Sequence, residues 1–310
     1  MPGAIQAQVL EPVILSASRA TDIPAFYADW FMNRLRAGWF EWVNPFNPRQ
    51  VQKISTAKVR AIVFWSKHPA GLLPHLDELD RRGLHCYFQY TLNDYEAEGG
   101  EPNLPALAER IDLFRRLAER VGPERVVWRL DPLLLTETIG VTGLLAKAGR
   151  LLVELGGSTR KLVFSFADIE RYPAVRRNLA RAGIAAREFT REEMREFARG
   201  LADLNCEYGL QLATCAEEID LAEFGIVHNR CVDGELLARL WPEDKALMEF
   251  LAAPAARKDR GQRQACGCIA SKDIGRYRTC PHLCVYCYAN HAGAAVARNF
   301  RAHRPDGEKI

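Results

Sequence analysis

Short apolar segments alternate with amphipathic helical patterns along most of the chain, and this alternation limits the fold more than any other feature. Residues 13–18 form an apolar run that predicts a buried strand. Asp22 and Pro24 follow it and are typical of the start of a helix, which should extend to about Ala37. Further strands are predicted over residues 59–65, 85–92, 125–130, 161–166, 207–213 and, more weakly, 225–228. Strands separated by single helices form right-handed βαβ units around a parallel sheet, and six or seven such units predict an α/β barrel of the (β/α)8 type, complete or partial.

The predicted units belong to one domain. Thr190 and Glu193 have the form of a capping box that opens one of the connecting helices. Residues 39–56 contain two Asn-Pro turn signals and are predicted to be an irregular insertion. The chain has 310 residues, 48% of them hydrophobic, which suffices for one large core. We therefore expect residues 1–255 to form the barrel body and residues 256–310 to complete the same domain.

Polar side chains are predicted at the carboxyl end of every strand, where the chemistry of such barrels takes place. They offer hydrogen bonds or charges to a cofactor or to a small anionic substrate. The candidates for such contacts are Arg19, Asp22, Lys67, Gln89, Arg129 and Asp131. The alternative to these cofactor and substrate contacts is a structural reading. In it Asp22 only caps its helix, Asp131 pairs with Arg129 and the other candidate side chains contact water.

The nine cysteines are unevenly distributed, and five of them lie between Cys266 and Cys287. Their number is odd, and the N-terminal segment lacks the basic and apolar stretches of a signal peptide. No apolar run approaches the ~18–20 residues that span a bilayer. We therefore expect a cytoplasmic protein without a membrane partner, in which the clustered cysteines bind metal rather than form disulfides.

Cys280, Cys284 and Cys287 follow the spacing C-x3-C-x2-C, which lets one tight loop surround one metal cluster. Thiolates are the normal ligands of iron–sulfur clusters. Three thiolates on the four irons of a [4Fe–4S] cluster leave one iron open. An open iron can chelate the amino and carboxylate groups of S-adenosylmethionine (SAM) and pass an electron to its sulfonium. The alternative is a structural zinc ion, with a further cysteine or histidine of the same segment completing its ligands.

Together with Tyr286, the aromatic residue before the last cysteine, this spacing resembles the cluster loop of the radical SAM superfamily. The resemblance implies a [4Fe–4S] cluster, bound SAM with Tyr286 close to it, a 5′-deoxyadenosyl radical and an electron donor such as flavodoxin or ferredoxin. Cluster loops of that superfamily usually follow the first barrel strand, whereas this one lies near the C-terminus. A circular permutation would account for this different position of the loop. Residues 272–277 would then form the last strand, beside residues 13–18, and residues 288–302 the final helix.

The second strand of that superfamily normally ends in a Gly-Gly-Glu-like element that holds the SAM amino group. This chain has Ser16-Ala-Ser-Arg19 there, with Asp22 nearby. Gly99-Gly-Glu101 follows a different strand in an acidic loop, and we interpret it as a chance match. The whole chain also resembles an uncharacterised bacterial family, a domain of unknown function whose C-terminal cysteine cluster is likened to the radical SAM one. The segments that carry this second resemblance are residues 16–22, 63–67, 128–132 and 271–275 with the cysteine-rich end.

A second metal site is predicted from the remaining cysteines. The candidates for an auxiliary iron–sulfur cluster or a zinc ion are Cys215, Cys231, Cys266 and Cys268. Four thiolates would close such a site, which would then be structural or relay electrons. The plainer alternative is that Cys215 and Cys231 are buried apolar thiols. Cys86 and Cys206 are predicted to lie in the core.

The charge is also unevenly distributed, since residues 256–310 carry 11 Lys or Arg against 4 Asp or Glu in a chain whose net charge is +3. A basic segment beside a metal cluster can attract an anionic substrate, a nucleic acid or a redox partner, or can be a solvated surface. We therefore expect a radical SAM enzyme, of which a DNA-repair lyase is a narrower version. The alternatives from other classes are a non-catalytic iron–sulfur electron carrier or sensor, and a barrel hydrolase or lyase with a structural zinc ion.

Overall fold

Parallel strands and single helices alternate along the chain in the computed structural model, which describes residues 9–45, 47, 49–259, 261–290 and 292–310. The strands are β1 Val9–Leu10, β2 Ile14–Ala17, β3 Trp39–Val43, β4 Val51–Ser55, β5 Ala61–Ser66, β6 His85–Thr91, β7 Val126–Leu133, β8 Leu135–Thr136, β9 Lys161–Phe166, β10 Ala186–Arg187, β11 Gln211–Thr214, β12 Val227–His228 and β13 Lys272–Asp273. The helices are α1 Ile23–Phe26, α2 Ala28–Ala37, α3 Leu76–Arg81, α4 Leu107–Val121, α5 Val141–Leu155, α6 Pro173–Arg181, α7 Arg191–Asn205, α8 Gly234–Leu240, α9 Lys245–Ala252 and α10 Gly293–Ala302. Within these described ranges, no helix combines the length and the apolar character needed to cross a bilayer.

Eight parallel strands form the central sheet, in the order β13-β2-β5-β6-β7-β9-β11-β12. From β2 onward each strand lies beside the next sheet strand along the chain, so the order never reverses. Right-handed crossovers that advance in one direction place their helices on one face, as in a barrel, rather than on both faces as in a doubly wound sheet. In the described part of the chain no ladder joins β12 to β13. The parallel α/β sheet is therefore confirmed, and barrel closure stays a prediction.

The two faces of the sheet are covered differently. Large side chains such as Phe64 and Trp128 pack with residues of α2, α4, α5 and α7. The opposite face carries smaller residues such as Val163, and α8, α9 and the chain leading to β13 cover it. Three of the predicted metal-binding cysteines belong to this second apolar cluster, namely Cys231, Cys266 and Cys268.

The last strand of the chain lies beside the first strand of the central sheet. β13 pairs in parallel with β2, with Lys272 opposite Leu15. This confirms the predicted position of the strand, although it is shorter than the predicted range 272–277 and the final helix begins only at Gly293. The cysteine-rich segment therefore leaves the sheet at the carboxyl end of a strand next to β2.

Residues 39–56 are not the irregular insertion that their turn signals predict. β3 pairs antiparallel with β4 as a hairpin, and β1 adds a parallel third strand to this small sheet. Asn44, from the first Asn-Pro pair, donates its backbone N–H to Gln50 within the hairpin loop. The Asn-Pro turn signal thus marks the loop that joins two strands of a hairpin, and not the end of regular structure.

Two further local predictions were wrong. The first helix is interrupted at Tyr27, which leaves the helical conformation with a φ of −133° and donates its hydroxyl to the carbonyl of Thr279 at 2.6 Å. Cys206 is exposed at the end of α7 instead of buried in a strand. The reason is that the helix opened by the predicted capping box at Thr190 is long, and the next strand starts only at Gln211.

Candidate metal centre

The cysteine loop, residues 280–287, follows β13 and turns sharply between its thiols. Cys284 is buried, whereas Cys280 and Cys287 are partly exposed. Leu283 has a φ of +54°, in the left-handed region that residues other than glycine rarely adopt. Strained conformations of this kind persist where the surroundings fix them, and they are frequent at functional sites. The fold therefore holds the loop in a conformation that its own sequence disfavours.

Three other parts of the chain hold the backbone of the cysteine loop. The carbonyl of Cys280 accepts a hydrogen bond from Asn290, and that of Pro281 accepts one from Asn103. The carbonyl of Cys287 accepts one from Asn178. The N–H of Val285 donates to the carbonyl of Gly100. Asn178 belongs to α6, and the loop after β6 supplies Asn103 and Gly100. A β-carbon at Gly100 would lie 2.9 Å from that of Tyr95, so this close turn needs glycine.

A buried cluster of charged side chains lies against the loop. One carboxylate oxygen of Glu101 accepts hydrogen bonds from Lys67, at 2.8 Å, and from Tyr286. The other oxygen accepts from Arg110 at 3.0 Å, and the side chains of Glu101 and Arg110 are each 1% exposed. Burial alone would raise the pKa of Glu101, but the charges of Lys67 and Arg110 outweigh it and the pKa is lowered. Glu101 is therefore an ionised brace between the strand ends and the cysteine loop.

Glu101 belongs to the site although its sequence context does not predict this. Its Gly-Gly-Glu segment follows a different strand from the expected one and resembles a chance match, yet the Glu101 side chain contacts Tyr286 inside the cysteine loop. Its partners Lys67, Arg110 and Tyr286 lie 34, 9 and 185 positions away along the chain. No local pattern could have shown these contacts, because only the tertiary fold brings the four residues together.

Asp22 caps its helix, as the structural reading predicts, and also contacts the cysteine loop. One oxygen caps α1 by accepting from the N–H of Ala25 at 3.0 Å, and it also accepts from the hydroxyl of Ser66 at 2.7 Å. The other oxygen accepts from the N–H of Lys67 at 2.8 Å and contacts Nε2 of His282 at 3.0 Å. Burial would raise the pKa of Asp22, but the hydrogen bond and charge of His282 help to lower it. Since His282 lies inside the cysteine loop, Asp22 ties that loop to the ends of β2 and β5.

Arg129 and Asp131, within β7, form an ion pair, as the structural reading predicts. Arg129 also donates to the side-chain oxygen of Gln89 at 3.2 Å and to the sulfur of Cys231 at 2.9 Å. Gln89 in turn donates to the carbonyl of Cys231 at 2.9 Å. These predicted cofactor contacts therefore lie beside the second set of cysteines rather than directly on the cysteine loop.

Asn93 connects Asp131 with the cysteine loop. Its side-chain nitrogen donates to the carbonyl of Asp131 and to the hydroxyl of Tyr286, both at 3.1 Å, and its oxygen accepts from the N–H of Asp131 at 2.9 Å. The side chain is fully buried. The sequence around Asn93 does not mark it as a site residue, because an asparagine after a predicted strand is typical of a turn.

Trp65 lies between two of the predicted cofactor-binding arginines. The guanidinium carbons of Arg19 and Arg129 are 4.9 and 5.2 Å from its ring centroid, within the range of cation–π attraction. Its indole N–H donates to Ser16 at 3.0 Å, and the backbone N–H of Arg19 donates to Asp273 at 2.9 Å. Trp65 thus connects β5 with Arg19, which follows β2, and with Arg129 of β7.

The remaining candidate cysteines form a second set, called here the four-cysteine group: Cys215, Cys231, Cys266 and Cys268. The sulfurs of Cys215 and Cys231 are 3.4 Å apart. Hydrogen bonding to Cys231 and then to Cys266 lowers the pKa of Cys268, so the sulfurs form a chain of contacts in the order 215, 231, 268, 266. Ala216, directly after Cys215, has a φ of +56°, a second strained position beside a cysteine. The fold therefore collects thiols that the sequence separates.

Three cysteines are a donor set that an iron–sulfur cluster takes, and burial keeps their thiols protonated until a metal binds. Burial raises the pKa of Cys284 to about 12 and also raises that of Cys287. Burial, and then the charges of Asp22 and of the other two cysteines, raise the pKa of Cys280. Metal binding displaces the protons of such thiols. Among the described residues no three Cys, His, Asp or Glu side chains are arranged as ligands of a single metal ion, but a [4Fe–4S] cluster makes a different demand because each thiolate binds its own iron.

Among the described residues, three of the seven buried polar atoms that lack a hydrogen-bond partner lie beside the two sets of cysteines. Each such atom calls for an explanation, for example a bound ligand, ion or water. In the described part of the chain they are Arg19 Nη2, Thr21 Oγ1, Asn229 Oδ1, Ser271 Oγ, His282 Nδ1, Asn290 Oδ1 and His303 Nδ1. His282 and Asn290 belong to the cysteine loop or follow it closely, and Asn229 contacts Cys231. The two groups therefore offer polar atoms that no protein partner uses.

Comparison with known families accounts for most of the chain. The family described as "Domain of unknown function (DUF1848)" matches residues 14–289, which include the central sheet and both sets of cysteines. No curated protein and no solved structure matches the chain. The matched description names no activity, so the function has to be argued from the site itself.

Proposed function

The chain belongs to the DUF1848 family, and we propose that it is a radical SAM enzyme. In this proposal Cys280, Cys284 and Cys287 hold a [4Fe–4S] cluster whose fourth iron binds SAM. When bound, the cluster supplies the electron that cleaves SAM and yields a 5′-deoxyadenosyl radical. The observation that carries the proposal is the position of the C-x3-C-x2-C loop, at the carboxyl end of a parallel strand next to β2.

The order of the central sheet supports this proposal. When β13 is counted as the first strand, β2, β5, β6, β7, β9, β11 and β12 follow it across the sheet in chain order. The cysteine loop then follows the first strand, which is its place in the superfamily that the loop resembles. A circular permutation therefore explains why the loop lies near the C-terminus of this chain.

The side chains around the loop can hold it rigid. Lys67, Glu101 and Tyr286 form a closed set of hydrogen bonds on one side, and Asp22 holds His282 on another. Moving the loop would break buried ion pairs and leave charges without partners, which is costly. A loop fixed in this way keeps its thiols in place for metal binding and limits their contact with water.

Side chains of the central strands and the loops after them, together with Tyr286 of the cysteine loop, supply polar groups for SAM and for an anionic substrate. The proposed contacts are Arg19, Asp22, Lys67, Gln89, Arg129, Asp131 and Tyr286. Guanidinium groups suit carboxylates, because they donate two parallel hydrogen bonds. A flavodoxin or ferredoxin as electron donor, a nucleic acid as partner and a cytoplasmic location stay predictions from the sequence.

Anaerobic purification and reconstitution with iron and sulfide would test the proposal. We expect at least about four irons per chain after reconstitution. After reduction with dithionite, we expect formation of 5′-deoxyadenosine from SAM. Cys284→Ser should lose the iron of the loop cluster and the formation of 5′-deoxyadenosine, whereas Cys206→Ser, which alters an exposed cysteine outside both groups, should keep both. Zinc without iron would contradict the proposal and favour a structural metal. Iron without SAM cleavage would also contradict it and favour an electron carrier or sensor.

A further inference from the structure

The four-cysteine group is assembled from three separate connections of the fold. Cys215 follows β11, Cys231 lies between β12 and α8, and Cys266 and Cys268 precede β13. The Cys215 and Cys231 sulfurs are 3.4 Å apart. Cys231, Cys266 and Cys268 belong to the same apolar cluster, against which Cys215 packs. The sulfur of Cys268 accepts a hydrogen bond from the N–H of Val232, the residue after Cys231, at 3.4 Å. Segments that are distant in sequence thus deliver four of the nine cysteines to one place.

The side-chain and backbone groups that contact these sulfurs from outside the group are N–H donors. Arg129 donates to Cys231 at 2.9 Å, and the side chain of Asn229 donates to the same sulfur at 3.1 Å. The N–H of Val232 donates to Cys268 at 3.4 Å. N–H donors around sulfur stabilise and tune metal-bound thiolates. These thiols also pack among apolar side chains, but a thiol that serves only as a small hydrophobic residue needs no such donors.

The surroundings are those of an enclosed centre with one accessible ligand. Cys231, Cys266 and Cys268 are 3%, 9% and 1% exposed and lie in the second apolar cluster. Cys215 is partly exposed, which gives a metal a route from solvent. Asn229 donates to a sulfur while its buried oxygen has no hydrogen-bond partner. The orientation of this amide is therefore set by the sulfur.

We infer that the four-cysteine group is a second metal centre, which binds an iron–sulfur cluster through four thiolates; a single zinc ion is not proposed, because no three such ligands among the described residues are arranged around one ion. Each thiol would release its proton to solvent as its sulfur binds metal, and metal–sulfur bonds would replace the present chain of sulfur contacts. Four protein ligands leave no open position, so this centre stabilises the fold or relays electrons. The inference does not rest on the radical SAM proposal, because it concerns a different set of ligands.

A disulfide between Cys215 and Cys231 is the competing use of this geometry. It would employ two of the four thiols and leave Cys266 and Cys268 without a role. It would also leave the guanidinium of Arg129 facing a neutral sulfur in a buried position. A four-thiolate centre uses all of these groups together.

Metal analysis of full-length variants would separate this centre from the cysteine loop. In the variant Cys280→Ser/Cys284→Ser/Cys287→Ser, we expect retention of iron with acid-labile sulfide. Adding Cys231→Ser and Cys268→Ser should abolish that metal, whereas adding Cys206→Ser should not. A folded triple variant, checked by circular dichroism, that binds no reconstituted iron and sulfide would overturn the inference. So would a Cys215–Cys231 disulfide found by mass spectrometry in metal-free protein.

Alkylation of the wild-type chain gives a test that needs no variant. With metal bound, Cys215 should resist iodoacetamide even though it is partly exposed, and it should become labelled once a chelator removes the metal. Cys206 is the internal control, since it should label at the same rate before and after chelation. Equal and rapid labelling of Cys215 in both states would overturn the inference whatever the outcome for SAM cleavage.

Discussion

The two sets of cysteines reach their sites in opposite ways. The cysteine loop carries three thiols within eight residues, and buried ion pairs hold it from outside. The four-cysteine group gathers its thiols from three distant connections, and they pack against apolar residues and N–H donors. In the cysteine loop the sequence alone brings three thiols close together and the fold fixes their conformation, whereas the second set exists only when the sheet is folded. In our proposals this difference separates a three-thiolate centre with an open position from a four-thiolate centre that is closed.

The largest expected effect is the separate loss of the two centres. Cys284→Ser should remove the iron bound by the cysteine loop and leave the metal of the four-cysteine group, and Cys231→Ser should do the reverse. The reason is that the two sets share no ligand. Metal and sulfide analysis of each variant, with Cys206→Ser as control, checks this. If either variant loses both centres while its circular dichroism stays native, the two sets are not independent.

A smaller but still large effect is expected at the brace beside the cysteine loop. Glu101→Gln removes the buried negative charge between Lys67 and Arg110, and breaking such a pair costs about 3–5 kcal/mol. Urea denaturation under anaerobic conditions measures this as a lower midpoint. Glu98→Gln is the matched control in the same loop, since its partner Lys147 lies in a partly exposed pair and its loss should cost about 1 kcal/mol or less. Equal midpoints for the two variants would mean that Glu101 is not a brace.

A moderate effect is expected from two helix caps, one beside each set of cysteines. Asp22 caps α1 and contacts the cysteine loop, while Asp233 caps α8 two residues after Cys231. Asp22→Ala and Asp233→Ala should each lower the free energy of unfolding by about 1 kcal/mol or more, as lost caps do. Only Asp22→Ala should alter the electron paramagnetic resonance spectrum of the loop cluster. A change of that spectrum in Asp233→Ala would show that the two sites are coupled.

The smallest effect is expected at Trp65. Trp65→Leu removes the ring between Arg19 and Arg129 and should cost about 1 kcal/mol. Trp39 offers a control, because Arg34 and Lys53 lie 4.3 and 4.2 Å from its ring in the small sheet. Both variants should lose similar stability, but only Trp65→Leu should speed metal loss from the four-cysteine group to a chelator. Equal rates in both variants would remove Trp65 from that site.

The sequence predicts the parts of this molecule that depend on local patterns. The alternation of apolar strands and helices predicts the parallel sheet, and the place of β13 beside β2 follows from treating the cysteine-rich end as a permuted first unit. Local patterns mislead where a turn signal is read as the end of structure, as in the hairpin of β3 and β4. They are silent where distant residues meet, as at Glu101 and Asn93. The three-cysteine spacing is visible in the sequence, whereas the contacts within the four-cysteine group need the fold.

The open iron of the cysteine loop is the central claim, and its most direct test is electron paramagnetic resonance of the reduced Cys231→Ser/Cys268→Ser variant. This variant removes the second centre, so the spectrum reports the loop cluster alone. The account predicts a [4Fe–4S] signal that shifts when SAM is added. A signal that saturating SAM leaves unchanged, or a protein that holds zinc and shows no signal, would contradict it.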